Sequence, residues 1–65
     1  MNYSIDKMLN IIPSKYQLVY IAADRATHME ETKFYQMKEN EYKSKKSLDR
    51  ALEEIQNNLI HIKEN

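Results

Sequence analysis

The chain has 65 residues, with ten basic and ten acidic side chains, one proline, and neither cysteine nor glycine. Without cysteine it has no disulfides or thiolate metal sites, and without glycine it lacks the phosphate-binding loops that depend on that residue. A net charge of zero argues against nucleic acid or an anionic membrane as the main partner. Apolar residues make up 42% of the chain, so the composition predicts one small helical domain with a packed core.

No segment of the sequence predicts a membrane span. The longest apolar run covers residues 18–23 and is far shorter than the ~20 residues that cross a bilayer. The first ten residues carry two charges and no apolar stretch of the signal-peptide kind. We therefore expect a cytoplasmic protein.

The first predicted helix covers about residues 5–12. Ser4 is a favourable N-cap, and Asp6 lies in the first turn, where a negative charge suits the helix dipole. Apolar residues follow at helical spacing. Pro13 ends the helix because it has no N–H to donate.

The second predicted helix covers about residues 15–31 and opens on a capping box, in which Ser14 and Gln17 each bind the other's backbone N–H. On a helical wheel its apolar residues fill an arc of roughly 200°, about twice the width typical of a helix that packs on one side. They are Tyr16, Leu18, Val19, Tyr20, Ala22, Ala23, Ala26 and Met29. This width predicts that the helix packs partly against its own chain and partly against a partner.

Residues 32–46 form a connection with five lysines and two glutamates. Its aromatic residues Phe34, Tyr35 and Tyr42 show no sustained helical spacing, so we expect a mobile, solvated loop. Lysines interleaved with aromatic side chains can also contact phosphates and stack on bases. A nucleic-acid interpretation of this loop therefore stays open, although we expect no direct nucleic-acid partner.

The third predicted helix covers about residues 48–58, with Ser47 as its N-cap. Its apolar residues form a stripe of about 100°, and the charged residues are expected to face solvent. The stripe consists of Leu48, Ala51, Leu52, Ile55, Leu59 and Ile62, and the opposite face of Asp49, Arg50, Glu53, Glu54 and Gln56. The predicted fold class is all-α: a small bundle of three to four short helices in one domain over residues 1–65.

No arrangement of residues predicts catalysis, because there is no cysteine nucleophile and the serines lie at predicted helix caps. His28 and Glu31 share one helix face, but a metal site needs three or four ligands, so we predict no metal and no cofactor. The side chains of the adjacent pairs Glu30–Glu31 and Glu53–Glu54 diverge, and both pairs are predicted to be solvated.

The short helix, the turn at Pro13 and the longer second helix also fit a helix-turn-helix. Such a chain would be a small DNA-binding or antitoxin-like regulator. The second helix is apolar where a recognition helix offers Arg, Asn or Gln to base edges. This function is kept as the alternative.

Two motifs resemble those of the omega subunit of bacterial RNA polymerase. The first is YQLVYIAADRA at residues 16–26, preceded by Ser-Ile-Asp at 4–6, and the second is ALEEI at 51–55. The resemblance covers about residues 4–31 and 46–60. It implies a non-catalytic subunit of the DNA-directed RNA polymerase, the nucleotidyltransferase of transcription. In this role the chain would bind the largest (beta-prime) subunit and promote its assembly with the alpha and beta subunits.

The resemblance also implies core-facing or partner-facing roles for ten residues: Tyr16, Leu18, Val19, Ala22, Ala23, Arg25, Ala26, Ala51, Leu52 and Ile55. Of these, Arg25 is expected to reach a carboxylate or carbonyl on the partner. Some members of the family bind the alarmone ppGpp through a basic N-terminal Ala-Arg segment. Here Asn2 and Tyr3 stand at those positions, so the resemblance does not extend ppGpp binding to this chain.

Overall fold

The computed structural model describes residues 4–60, which form three α-helices, one short 3-10 helix and no β-strand. Helix α1 covers Ile5–Ile11, α2 covers Lys15–Thr32, the 3-10 helix covers Glu39–Glu41, and α3 covers Ser47–Gln56. The all-α class is thereby confirmed. No helix in this part of the chain is long and apolar enough to cross a membrane. The predictions for Asn2, Tyr3 and Ile62 fall outside the described residues.

The core lies where the three helices meet. α3 packs mainly along α2, and α1 contacts both helices. The buried side chains are Met8, Ile12, Leu18, Ala22, Ala26, Met29, Ala51 and Ile55. The backbone N–H of Ser4 donates to the side-chain oxygen of Gln56, so the start of α1 is joined to the end of α3.

Serine caps begin the first two helices, as predicted, but not the third. Ser4 Oγ accepts from Lys7 N–H, and Ser14 Oγ accepts from Gln17 N–H at 3.3 Å. Within residues 4–60 the reciprocal bond of the predicted capping box, from the Gln17 side chain, is not formed. The prediction for Ser47 is wrong, because α3 begins one residue earlier with Lys46 at the N-cap and Ser47 inside the helix.

This difference between Ser14 and Ser47 gives a matched pair of substitutions. Ser14→Ala removes a capping acceptor, so we expect a loss of about 1 kcal/mol and a melting temperature lower by roughly 4–8 °C. Ser47→Ala removes no cap and should change the melting temperature much less. Thermal unfolding followed by circular dichroism at 222 nm measures both, and equal shifts for the two variants would contradict the assignment.

Two residues in the left-handed region follow the helix ends. Lys33, with φ 59°, follows α2, and its N–H donates to the Met29 carbonyl. Asn58, with φ 62°, follows α3, which ends at Gln56, two residues earlier than predicted. Asparagine adopts this backbone region more readily than most residues. The Asn57–Asn58 pair therefore ends α3.

Residues 33–46 correct the prediction of a mobile, solvated connection, because they pack against α3. Tyr42 is buried, and its ring lies edge-on to that of Tyr35 with 5.9 Å between the centroids. Glu41 Oε1 accepts from Lys38 N–H at 2.8 Å, which closes the 3-10 helix. The segment has few apolar residues to hold it in place. It is fastened instead by hydrogen bonds to side chains of α3.

Candidate protein-interaction site

The face of α2 that points away from the core is apolar over the first half of the helix. Tyr16 is 81% exposed, Val19 and Tyr20 are each 64% exposed, and Ala23 is also exposed. Positions separated by three, four and seven residues lie on one side of an α-helix. These four side chains therefore form one continuous surface, here called the outer stripe. Contiguous exposed apolar side chains mark sites of protein association.

The structure divides nine of the ten residues proposed from the sequence between two surfaces. Those in the core are Leu18, Ala22, Ala26, Ala51 and Ile55, with Leu52 partly buried against them. Those on the outer stripe are Tyr16, Val19 and Ala23. The over-wide apolar arc of α2 thus consists of an inner half that its own chain covers and an outer half that remains exposed.

Arg25 belongs to neither surface. We expected it to reach a carboxylate or carbonyl on a partner, but it finds both groups in its own chain. Its Nε donates to Glu54 Oε1 at 2.8 Å, and its Nη2 donates to the Phe34 carbonyl at 3.1 Å. The side chain of Arg25 is only 10% exposed. Arg25 therefore joins α2 to α3 and to the connection.

Glu54 is the centre of a polar network that also corrects the prediction of solvated glutamates on α3. Its side chain is fully buried. It accepts from Arg25, from the backbone N–H and side-chain amide of Gln36, and from the hydroxyl of Tyr42. A buried carboxylate without such donors would be strongly destabilising. The Glu54 network (Arg25, Gln36, Tyr42 and Glu54) thus fixes α2, the connection and α3 relative to one another.

A second network lies next to it on α3. Glu53 accepts the backbone N–H groups of Lys43 and Ser44 at 2.9 and 3.0 Å. Arg50 donates to the Ser44 carbonyl and to both carboxylate oxygens of Glu39. Its guanidinium also lies 4.7 Å from the centroid of the Tyr42 ring. The charged face of α3 that we predicted to be solvated is therefore the surface on which the connection packs.

The buried hydroxyl of Tyr42 gives the fold a specific alkaline limit. Burial, and then the hydrogen bond to Glu54, raise the pKa of Tyr42 to about 12. An unfolded tyrosine ionises near pH 10, so between pH 10 and 12 the unfolded chain loses a proton that the folded chain keeps. Stability is therefore intact below pH 10 and falls as the pH rises towards 12, by about 2–3 kcal/mol.

Urea denaturation at pH 9 and pH 11.5 measures this decline. Tyr42→Phe is expected to lower stability at pH 9 and to flatten the further loss between the two pH values. Tyr16→Phe, on the exposed outer stripe, should leave the decline as in the unmodified chain. If the stability of Tyr42→Phe fell as much between pH 9 and pH 11.5 as that of the unmodified chain, the loss would not come from ionisation of Tyr42.

His28 is exposed near the end of α2, and its Nδ1 accepts from Arg25 Nη1 at 2.7 Å. Among residues 4–60, no group of three or more histidine, aspartate or glutamate side chains is placed to hold a metal ion. The hydrogen-bonded polar groups Arg25 and Glu54 thus serve the packing of the chain, and the outer stripe is an exposed surface with functional potential.

Comparison with known proteins identifies the family. The family model described as RNA polymerase Rpb6 matches residues 7–62. Relatives named DNA-directed RNA polymerase subunit omega include that of Lacticaseibacillus casei, 46% identical over 52 residues, which is 80% of this chain and 61% of the relative. The omega subunit of Enterococcus faecalis is 45% identical over 53 residues, which is 82% of this chain and 52% of the relative. The omega subunit of Streptococcus agalactiae is 45% identical over 60 residues, which is 89% of this chain and 55% of the relative.

The chain thus spans between 52% and 61% of the length of these three relatives. No solved structure matches it at a comparable level of significance. The family match includes α2 with its outer stripe and all of α3. The chain therefore belongs to the RNA polymerase Rpb6 family, and the relatives it resembles are bacterial omega subunits.

Proposed function

We propose that the chain is a non-catalytic accessory subunit of a bacterial DNA-directed RNA polymerase, active in the cytoplasm. In this role it binds the largest, beta-prime subunit and promotes assembly and stability of the core enzyme. The observation that carries the proposal is the outer stripe of α2, an apolar surface on a chain whose relatives are named as polymerase subunits. Because the chain spans only part of the length of those relatives, their role as polymerase subunits is proposed for this chain.

The outer stripe has the composition of a protein-binding surface. Tyrosines are frequent among the side chains that dominate association energies, since they offer a large rigid area and a polar tip. Burying an exposed large apolar side chain contributes about 1.5–3 kcal/mol. Ala23 adds a position where a partner can approach the helix backbone closely. These features favour a partner that lies along α2 and packs on Tyr16, Val19 and Tyr20.

The DNA-binding alternative is not favoured. The exposed residues in the second half of α2 include Asp24, Glu30 and Glu31. Carboxylates on the surface of a recognition helix repel phosphates and cannot supply the cations that duplex binding needs. In this proposal, catalysis and nucleic-acid contact therefore belong to other subunits.

Purification of the affinity-tagged chain from its host, expressed at native level, tests the proposal. The expected result is recovery of the largest polymerase subunit in stoichiometric amount, together with the other core subunits. Filter binding to duplex DNA at low salt tests the alternative in parallel. Recovery of DNA without polymerase would overturn the proposed function.

A further inference from the structure

A groove of about 580 Å³ runs along the side of α2 between the outer stripe and Arg25. Residues of α2 line one side of it, and Phe34 and the segment after α3 line the other. The groove is thus bounded by three separate stretches of chain whose relative positions are set by the Glu54 network. It lies next to the outer stripe on the same helix but faces a different direction.

Four of the ten residues that line the groove are apolar. Phe34 is 60% exposed, Leu59 is 38% exposed, and Ile21 and Ile60 are partly buried. The Arg25 guanidinium lies 5.8 Å from the centroid of the Phe34 ring, and its donors already serve Glu54, His28 and the Phe34 carbonyl. Arg25 therefore holds Phe34 in place and has little capacity left for a ligand anion.

The rim of the groove is acidic. Asp24 and Glu31 line it, are exposed, and lie seven residues apart, which places them two turns apart on the same side of α2. Neither carboxylate forms an ion pair or hydrogen bond with another residue in the 4–60 range. The groove thus combines apolar side chains with two carboxylates for which residues 4–60 supply no cationic partner.

We infer that this groove binds a segment of the polymerase partner in which a lysine or arginine adjoins a large apolar side chain. The apolar side chain and the alkyl stem of the cation would pack on Phe34 and Leu59. The charged head would lie between Asp24 and Glu31, where two carboxylates complement it. The identity of the partner rests on the proposed function. Because the groove adjoins the outer stripe, one subunit can cover both surfaces.

Binding of the full chain to core polymerase that lacks this subunit, purified from its host, tests the inference. Asp24→Asn and Glu31→Gln each remove one rim charge without removing a hydrogen bond or ion pair within residues 4–60. Each is expected to weaken binding about three- to tenfold at 50 mM NaCl, and by less at 300 mM, because salt screens the lost attraction. Asp24→Glu keeps the charge and should bind nearly as the unmodified chain does. Asp6→Asn, on the exposed surface of α1, is the matched control.

The outcomes separate this inference from the proposed function. Loss of affinity in both rim variants, with Asp24→Glu and Asp6→Asn unaffected, supports the groove. Unchanged affinity of both rim variants for a polymerase that binds the unmodified chain overturns the groove and leaves the proposed function standing. Failure of the unmodified chain to bind overturns both. Rim variants that alter only self-association, measured by sedimentation, would assign the groove to a second copy of the chain and also overturn the inference.

Discussion

Replacing Glu54 by alanine is expected to unfold most of the chain. The substitution leaves the Arg25 guanidinium, the Gln36 amide and the Tyr42 hydroxyl without their common acceptor. Removing one partner of a buried ion pair costs about 3–5 kcal/mol, since the other charge stays desolvated. A single domain of this size has only about 3–5 kcal/mol of core stability to lose. Circular dichroism at 222 nm should show a largely unfolded Glu54→Ala chain at 25 °C.

Two further variants serve as controls for Glu54→Ala. Glu54→Gln keeps the shape and one acceptor, so an intermediate melting temperature is expected. Glu39→Ala breaks the ion pair with Arg50, but the Glu39 side chain is 78% exposed, and the melting temperature should change little. A Glu54→Ala chain that melts cooperatively within a few degrees of the unmodified chain would show that the network does not hold the fold.

Tyr16→Ala and Leu18→Ala are expected to have opposite effects, although the two residues are two positions apart. Tyr16 is on the outer stripe, so truncation should leave the free energy of unfolding within about 0.5 kcal/mol. It should weaken binding to core polymerase by about 2 kcal/mol, or roughly thirtyfold. Leu18 is in the core, and its truncation should cost about 2–5 kcal/mol of stability.

Urea denaturation of the free chain measures the free energy of unfolding of each variant. Titration of core polymerase measures the affinity of each variant. Val19→Ala provides a second outer-stripe substitution with the same expected pattern and a smaller loss of affinity. A Tyr16→Ala chain that binds as tightly as the unmodified chain would remove the outer stripe from the interface. A Tyr16→Ala chain that is strongly destabilised would show that the outer face of α2 already packs within the monomer.

Local signals in the sequence predicted much of this fold. The caps at Ser4 and Ser14 and the stop at Pro13 each depend on residues a few positions apart. The width of the apolar arc of α2 indicated two packed sides. The division of this arc into an inner and an outer half depends on where α1 and α3 pack. A helical wheel of α2 alone does not show the positions of other helices.

The charged face of α3 was predicted wrongly because its partners are distant in sequence. Glu54 is 29 residues from Arg25 and 18 from Gln36, and nothing near Glu54 distinguishes it from a solvated glutamate. Helical patterning assumes that charges point to water unless an apolar surface covers them. Here a polar segment covers them, and its backbone N–H groups and tyrosine hydroxyl replace water as donors. The same contacts explain why the connection packs without an apolar repeat.

Thiol labelling at a single position on α2 tests the central claim most directly. The chain has no cysteine, so Ala23→Cys places its only thiol at the C-terminal end of the outer stripe. Labelling is followed by the mass of this chain, alone and after mixing with core polymerase, and Asn40→Cys on the exposed 3-10 helix is the control. We predict that core polymerase slows labelling at position 23 at least about tenfold and leaves position 40 reactive, as expected for a buried interface core. Equal labelling of Ala23→Cys with and without bound polymerase would contradict the account.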